Sequence, residues 1–152
     1  MGDLMNMVHV LFICQHNSAR SQMAEAFLNT TYGETYTAHS AGIEPGPLHP
    51  VVVKVMKEKG IDISHNRSKS VREFLNTAID CVVTVCDQAQ ETCPFFPGAH
   101  IYIHKGFTDP SSITGTPAYV EEQVRAIRDE ICEWIIETFD PSQFEKNMEK
   151  IK

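Results

Sequence analysis

The sequence predicts a single three-layer α/β domain, with a central four-stranded parallel sheet and helices on both faces. Three observations carry that expectation. Val8 to Ile13 is a near-continuous apolar run, as a parallel strand buried on both faces requires, and a loop and a helical pattern follow it directly. Strand-like and helix-like stretches then alternate along the chain, which implies right-handed crossovers within one parallel sheet. The length of 152 residues, 42% of them hydrophobic, suits one domain with a full core, and no internal repeat interrupts it. We expect that domain to span 1–152, with its core at about 7–139 and a polar, frayed tail over 140–152.

In the helix that begins near Ser21, residues Ala24, Phe27, Leu28 and Thr31 share a face, and Gly33 ends it. Thr35 to Ser40 reads as the second strand, and Gly42, Pro45, Gly46 and Pro47 make the loop after it. Pro50 suits the first turn of a helix carrying Val52, Val55 and Met56 on one face and stopping at Gly60. Ser70 and Glu73 form a capping-box signature ahead of Phe74 and Leu75, so a short helix is expected there. Ile79 to Cys86, apolar and β-branched, is the third strand, and Ala99 to His104, alternating around Ile101 and Ile103, is the fourth. From Ala118 to Phe139, residues Val120, Val124, Ile127, Ile131, Trp134, Ile135 and Thr138 recur at helical spacing before Asp140 and Pro141 stop the run. If strand one lies between strands two and three, the strand order reverses at its C-terminal end, where Cys14 lies.

Charge and cysteine usage narrow the function. A formal net charge of −7 argues against general binding to nucleic acid or to anionic membrane. The first six residues lack a basic region, and Val8 to Ile13 is too short for a signal peptide or a membrane span, so a soluble cytoplasmic protein is expected. Five cysteines in a chain without an export signal point to catalytic or redox thiols rather than a disulfide framework.

The first of these thiols opens the stretch Cys14-Gln15-His16-Asn17-Ser18-Ala19-Arg20, between the first strand and the first helix. A short strand-to-helix loop leaves backbone N–H groups directed at its centre, where the helix dipole also favours negative charge. A tetrahedral oxyanion fits there. The same field, with Arg20 adding a full positive charge, favours the thiolate of Cys14, the form that attacks a bound anion. His16 either tunes Cys14 electrostatically or faces solvent.

Cys86 and Cys93 lie just after the third strand, near the same rim. In a helix they would share a face about 10 Å apart along the axis, beyond the roughly 4.4 to 6.8 Å that disulfide Cα atoms tolerate, so bridging them requires local unwinding. Gln88, Gln90, Glu91 and Thr92 offer no apolar stripe to hold a helix down, which makes a redox-driven rearrangement feasible. Read alone, the pair is equally two unrelated cysteines. The spacing is too wide for a usual zinc pair, and His100 and His104, on one face of the fourth strand with Tyr102, are weak metal candidates. Cys81 in the third strand and Cys132 in the last helix read as packing residues. Asp109, before Pro110, is either an ordinary Asx-Pro turn or a proton donor for a leaving oxygen, with a carboxyl raised by its cleft.

Taken together, Cys14 to Ser21, Gln22-Met23-Ala24-Glu25, Ser40-Ala41-Gly42, Gly60-Ile61-Asp62-Ile63-Ser64 and Asp109-Pro110 resemble the low-molecular-weight tyrosine phosphatase fold, which implies the strand order 2-1-3-4. With Val83-Thr84-Val85-Cys86 and Cys93-Pro94 added, the chain resembles the thioredoxin-coupled arsenate reductases built on that fold, over roughly residues 7 to 139. The resemblance implies that Cys14 attacks arsenic, that the amides of Gln15, His16, Asn17, Ser18, Ala19 and Arg20 together with the Arg20 side chain hold the oxyanion, and that Ser21 donates to the thiolate. Asp109 would protonate the leaving oxygen. Cys86 would then attack Cys14 and release arsenite, and Cys93 would move the disulfide to Cys86–Cys93 for reduction by thioredoxin. Phosphate and sulfate would compete for the loop. No cofactor is implied as required, but some relatives place a potassium ion near the loop, at positions matching Asn17, Glu25, Ser40 and Asp62. The chain departs from the pattern at Ala19, where some relatives carry another cysteine, and at Lys105 and Thr108, which replace a tryptophan and an aspartate. Ser111 and Ser112 stand where phosphatases of this fold often have tyrosines, which favours a reductase over a protein phosphatase needing only Cys14, Arg20 and Asp109.

Overall fold

A computed structural model of the chain describes residues 7–151; residues 1–6 and 152 of the expected domain, including the stretch read for a leader, lie outside the described residues. Four parallel strands, β1 (Val8–Cys14), β2 (Tyr36–Gly42), β3 (Cys81–Thr84) and β4 (Ile101–His104), form one sheet in the order β2-β1-β3-β4. The expected strand order is the observed one. Among the described residues five helices accompany them: α1 (Arg20–Tyr32), α2 (Pro50–Lys57) and α3 (Asp87–Thr92) join successive strands, and α4 (Pro117–Thr138) and α5 (Phe144–Ile151) follow β4. Short 3₁₀ turns cover Val71–Phe74 and Pro110–Ser112.

The consecutive residues Val10 to Cys14 are all buried, so both faces of β1 are covered. On one face Phe12 meets Phe139 edge-on at 5.9 Å, and Tyr36 meets Phe139 at 5.4 Å. On the other, His9 stacks on His39, which packs against Phe74. α1 packs on β2 and on α4, and α2 packs on α4. Arg128 of α4 is buried in the last of these contacts, donating to Val55 O at 2.8 Å and Glu58 Oε1 at 2.9 Å. No helix among the described residues is long and apolar enough to cross a membrane.

The Ser70–Glu73 capping box is fully formed and opens the expected short helix, which is 3₁₀ and lasts four residues. Two expectations needed correction. β3 and β4 are shorter than their apolar runs: Ile79 and Val85 are buried without extending the ladder, because β3 pairs only from Cys81 to Thr84. The stretch after Pro141 is no frayed tail. It forms α5, with Phe144 stacked on Phe139 at 5.8 Å and Asn147 donating to the carbonyls of Glu137 and Thr138.

The sheet register places the loop after β1 directly beside the end of β2. Cys14 pairs with Gly42, where an added Cβ would meet Asn17 N and His16 C at 2.7 Å, so only glycine lets the loop lie this close.

Candidate active site

The loop from Cys14 to Arg20 is shaped by where its carbonyls point. Ile43 N–H donates to Cys14 O, Glu44 N–H to Gln15 O, Gly46 N–H to His16 O and His49 N–H to Ser18 O, at 2.8 to 3.2 Å. The Asn17 carbonyl accepts from Gln22 Nε2 and Ser68 Oγ. With those carbonyls satisfied from outside, the loop turns its amides inward, and the first turn of α1 has no side-chain cap. The result is the anion cradle expected at a strand-to-helix turn.

Asn17 holds this shape. It is fully buried with φ +53°, and its Oδ1 accepts from Gln22 Nε2 at 3.0 Å and from Lys69 N–H at 2.8 Å. Those two bonds fix the amide so that Nδ2 donates to Ser21 Oγ at 2.8 Å. The Ser21 hydroxyl hydrogen is thereby left for Cys14 Sγ, 2.9 Å away, and Asn17 N–H also donates to that sulfur at 3.2 Å. Ser21 lies against the Cys14 sulfur, the contact its expected role requires, whereas Gln22, Ser68 and the 43–49 segment were not among the expected site residues. Their only signal was proximity in the fold.

Arg20 is buried and reaches across to the loop after β4. Its Nη1 donates to Phe107 O at 3.2 Å, and its Nη2 lies 3.6 Å from Asp109 Oδ2. Arg20, Cys86, Asp87, Gln88 and the Gly106 to Asp109 loop line a cleft of about 490 Å³. Lys105 folds back over the Phe107 ring at 5.6 Å, while Thr108 lines the cleft. Cys86 sits at the start of α3, close enough to Cys14 and Arg20 for both to act on its thiol. Burial pushes that thiol up, against the pull of the Ala89 amide and the Arg20 charge. Cys93 ends α3 and lines a neighbouring cavity, and its thiol too is pushed up by burial. All five cysteines are free; Cys81 is buried in β3, its thiol pushed up to about 12, and Cys132 is half-buried, so both pack as expected. Ala89, within α3, is fully buried, an anchor that the polar reading of the 87–92 stretch overlooked.

One expectation about charge is corrected. Burial pushes the Asp109 carboxyl up, but hydrogen bonds from Ser111 and the charges of Arg20 and His16 outweigh it and hold it below the usual range. The Ser111 N–H bond of 2.9 Å is the Asx turn, so the turn reading of Asp109 is the one the geometry realises. His16 resolves to the outside: it is exposed, with Nδ1 2.8 Å from Glu44 O. His104 contacts Thr84 and Asp87, and no cluster of three metal-ligating side chains occurs among the described residues.

The four positions matched to potassium do not make a cage. Glu25 lies against Ser40, whose buried Oγ has no hydrogen-bond partner, and these two alone would suit a cation. Both lone pairs of Asn17 Oδ1 are taken, however, and Asp62 is exposed with its Oδ1 on Ser64 N–H. Burial pushes the Glu25 carboxyl up and the Lys69 charge pulls it back, so a lysine supplies the positive charge here. Activity is expected to be unchanged when potassium is replaced by sodium at constant ionic strength, as initial rates in the two buffers will show.

Comparison with known proteins places this geometry. Residues 9–135 match the family described as low molecular weight phosphotyrosine protein phosphatase. The arsenate reductase of Halalkalibacterium halodurans is 41% identical over 127 residues, covering 84% of this chain and 91% of that protein. A solved arsenate reductase in a phosphate-binding state superposes with a TM-score of 0.72 at 28% identity, covering 96% of this chain and all of that one. A thioredoxin-dependent arsenate reductase of Corynebacterium glutamicum superposes with a TM-score of 0.61 at 30% identity, over 88% of this chain and 64% of that one. The chain belongs to the low molecular weight phosphotyrosine protein phosphatase family and, within it, stands with the arsenate reductases.

Proposed function

We propose that the chain reduces arsenate to arsenite by a relay through Cys14, Cys86 and Cys93, with thioredoxin restoring the thiols. The observation that carries this reading is the placement of Cys86 beside Cys14 and Arg20, with Cys93 at the other end of the same short helix. A phosphatase needs only the loop and Asp109. Relatives named as arsenate reductases, one of them thioredoxin-dependent, support it.

Each step of the relay has a residue to carry it. Arsenate settles on the loop amides and Arg20, with phosphate and sulfate as competitors for the same cradle. Cys14 Sγ, held by Ser21 and the Asn17 amide, attacks arsenic, and one oxygen leaves as water with a proton from Asp109. The Cys86 thiolate then attacks Cys14 Sγ; the arsenic–sulfur bonding pair stays on arsenic, which leaves as arsenite, and a Cys14–Cys86 disulfide forms. Cys93 attacks Cys86, and a Cys86–Cys93 disulfide awaits the carrier. No step requires a cofactor. The cycle fits the cytoplasm, where thiols are kept reduced.

The Asp109 carboxyl is held below its usual range, so its acid role depends on the bound dianion raising it. Its protonated fraction falls with rising pH. Aryl phosphate hydrolysis is therefore expected to decline on the alkaline limb, and Asp109→Asn to flatten that limb and lower kcat by about 10²-fold, as a pH–rate profile will show.

Phe95, two residues after Cys93, is 76% exposed. An apolar side chain beside the outgoing disulfide suits the apolar rim of a carrier's dithiol. Phe95→Ala is expected to raise the KM for thioredoxin about 5- to 30-fold, in the range of a truncated interface anchor, with aryl phosphate hydrolysis unchanged.

The deciding assay couples arsenate, thioredoxin, thioredoxin reductase and NADPH. Arsenate-dependent NADPH consumption that needs Cys93 is the expected result. No consumption above background would leave a phosphatase or a redox-sensing module as the reading.

A further inference from the structure

Edge strand β4 touches the redox segment at both of its ends. At the start, His104 Nε2 lies 3.1 Å from Asp87 Oδ1 in the first turn of α3, and its Nδ1 lies 2.9 Å from Thr84 Oγ1, which fixes the ring. Beyond Cys93, the Tyr102 hydroxyl accepts from Phe96 N–H at 3.0 Å and donates to Phe96 O at 3.4 Å. Tyr102 and His104, two residues apart on one strand, face the same way. In register with them on β3 are Val82 and Thr84. These four side chains line a cavity of about 410 Å³, and Gln90 and Cys93 of the redox segment line it too.

That arrangement matters because Cys86 and Cys93 flank a helix and cannot bond while it stays wound. Once unwound, a segment free at one end would spread over many conformations and carry Cys93 away from its target. Fixed ends keep the loop short and the thiol concentration at Cys86 high. A cavity below gives the chain somewhere to go.

We propose that Tyr102 and His104 are positioning residues for the second thiol exchange: they hold Phe96 and Asp87 in place while α3 unwinds between them over the cavity. The proposal rests on the three-thiol relay. In that exchange the Cys93 thiol gives its proton to solvent and its thiolate bonds to Cys86 Sγ. The Cys86–Cys14 bond breaks, its electron pair leaving on Cys14 Sγ, so no external oxidant or reductant enters.

The test is a time course on the full reduced chain given one equivalent of arsenate without thioredoxin, quenched in acid, alkylated and mapped by peptide mass spectrometry. In the wild type the Cys14–Cys86 bridge gives way to Cys86–Cys93. Tyr102→Phe, which removes only the hydroxyl, is expected to slow that conversion five- to tenfold, so that Cys14–Cys86 accumulates, with its formation and aryl phosphate hydrolysis unchanged. His104→Asn, as a second variant, is expected to do the same. Conversion at the wild-type rate in both variants would overturn the proposal, as would a parallel loss of hydrolysis, which marks general damage. Should the wild type form no Cys86–Cys93 bridge, the relay itself fails and this proposal with it, an outcome distinct from equal rates.

Discussion

Cys86→Ser is expected to abolish multiple-turnover reduction of arsenate while most aryl phosphate hydrolysis remains. The two activities share the cradle, Cys14, Arg20 and Asp109, and hydrolysis finishes when water attacks the phosphorylated thiol. Reduction cannot finish that way, because arsenic must gain two electrons and the available pair lies in a sulfur–arsenic bond that only a second thiol can release. Serine keeps the size of Cys86 in a buried place but cannot form the disulfide. Steady-state rates on both substrates check this, and full reductase turnover in the variant would remove Cys86 from the chemistry.

Arg20→Lys is expected to cost both activities about 10² to 10³-fold, the range for removing one preorganised oxyanion donor. The guanidinium is buried, and one of its nitrogens is committed to Phe107 O while another faces Asp109. That commitment fixes the orientation of the remaining N–H groups toward the cradle. Lysine carries the charge but not the planar fork, so it can neither tie the 106–109 loop to α1 nor bind an oxyanion with two parallel bonds. The kcat/KM values for arsenate and for an aryl phosphate should fall together, unlike the split expected for Cys86→Ser.

The features legible in the sequence are those with a strong local signal. Val8 to Ile13 could bury both faces only in a parallel sheet, and the spacing from Val120 to Thr138 permitted little besides one long helix. Cys14, Ser21 and Arg20 were legible because a strand, a short loop and a helix fix their relation within a few residues. What the sequence concealed is tertiary. The carbonyls of the loop are turned outward by Ile43, Glu44, Gly46 and His49, which only the docking of β2 beside β1 brings near. Asn17 depends on Gln22 and Lys69 for its orientation, and Lys69 sits opposite it through the bridge between Gly42 and Ser70. Asp109 was read for its cleft, but two hydrogen bonds from its own turn and the Arg20 charge decide its ionisation. The last helix was misread for another reason: Phe144, Met148 and Ile151 recur at helical spacing within a stretch that is otherwise polar, and Phe144 finds Tyr36 and Phe139 to pack on.

The central claim is that electrons leave the cradle through Cys86 and Cys93. It is tested most directly by adding one equivalent of arsenate to the fully reduced chain with no carrier present, then counting arsenite released and mapping the thiols lost. The account predicts one arsenite per chain and a single disulfide, between Cys86 and Cys93, with Cys14 returned to the free thiol. Arsenite released while Cys86 and Cys93 both remain free thiols would contradict it.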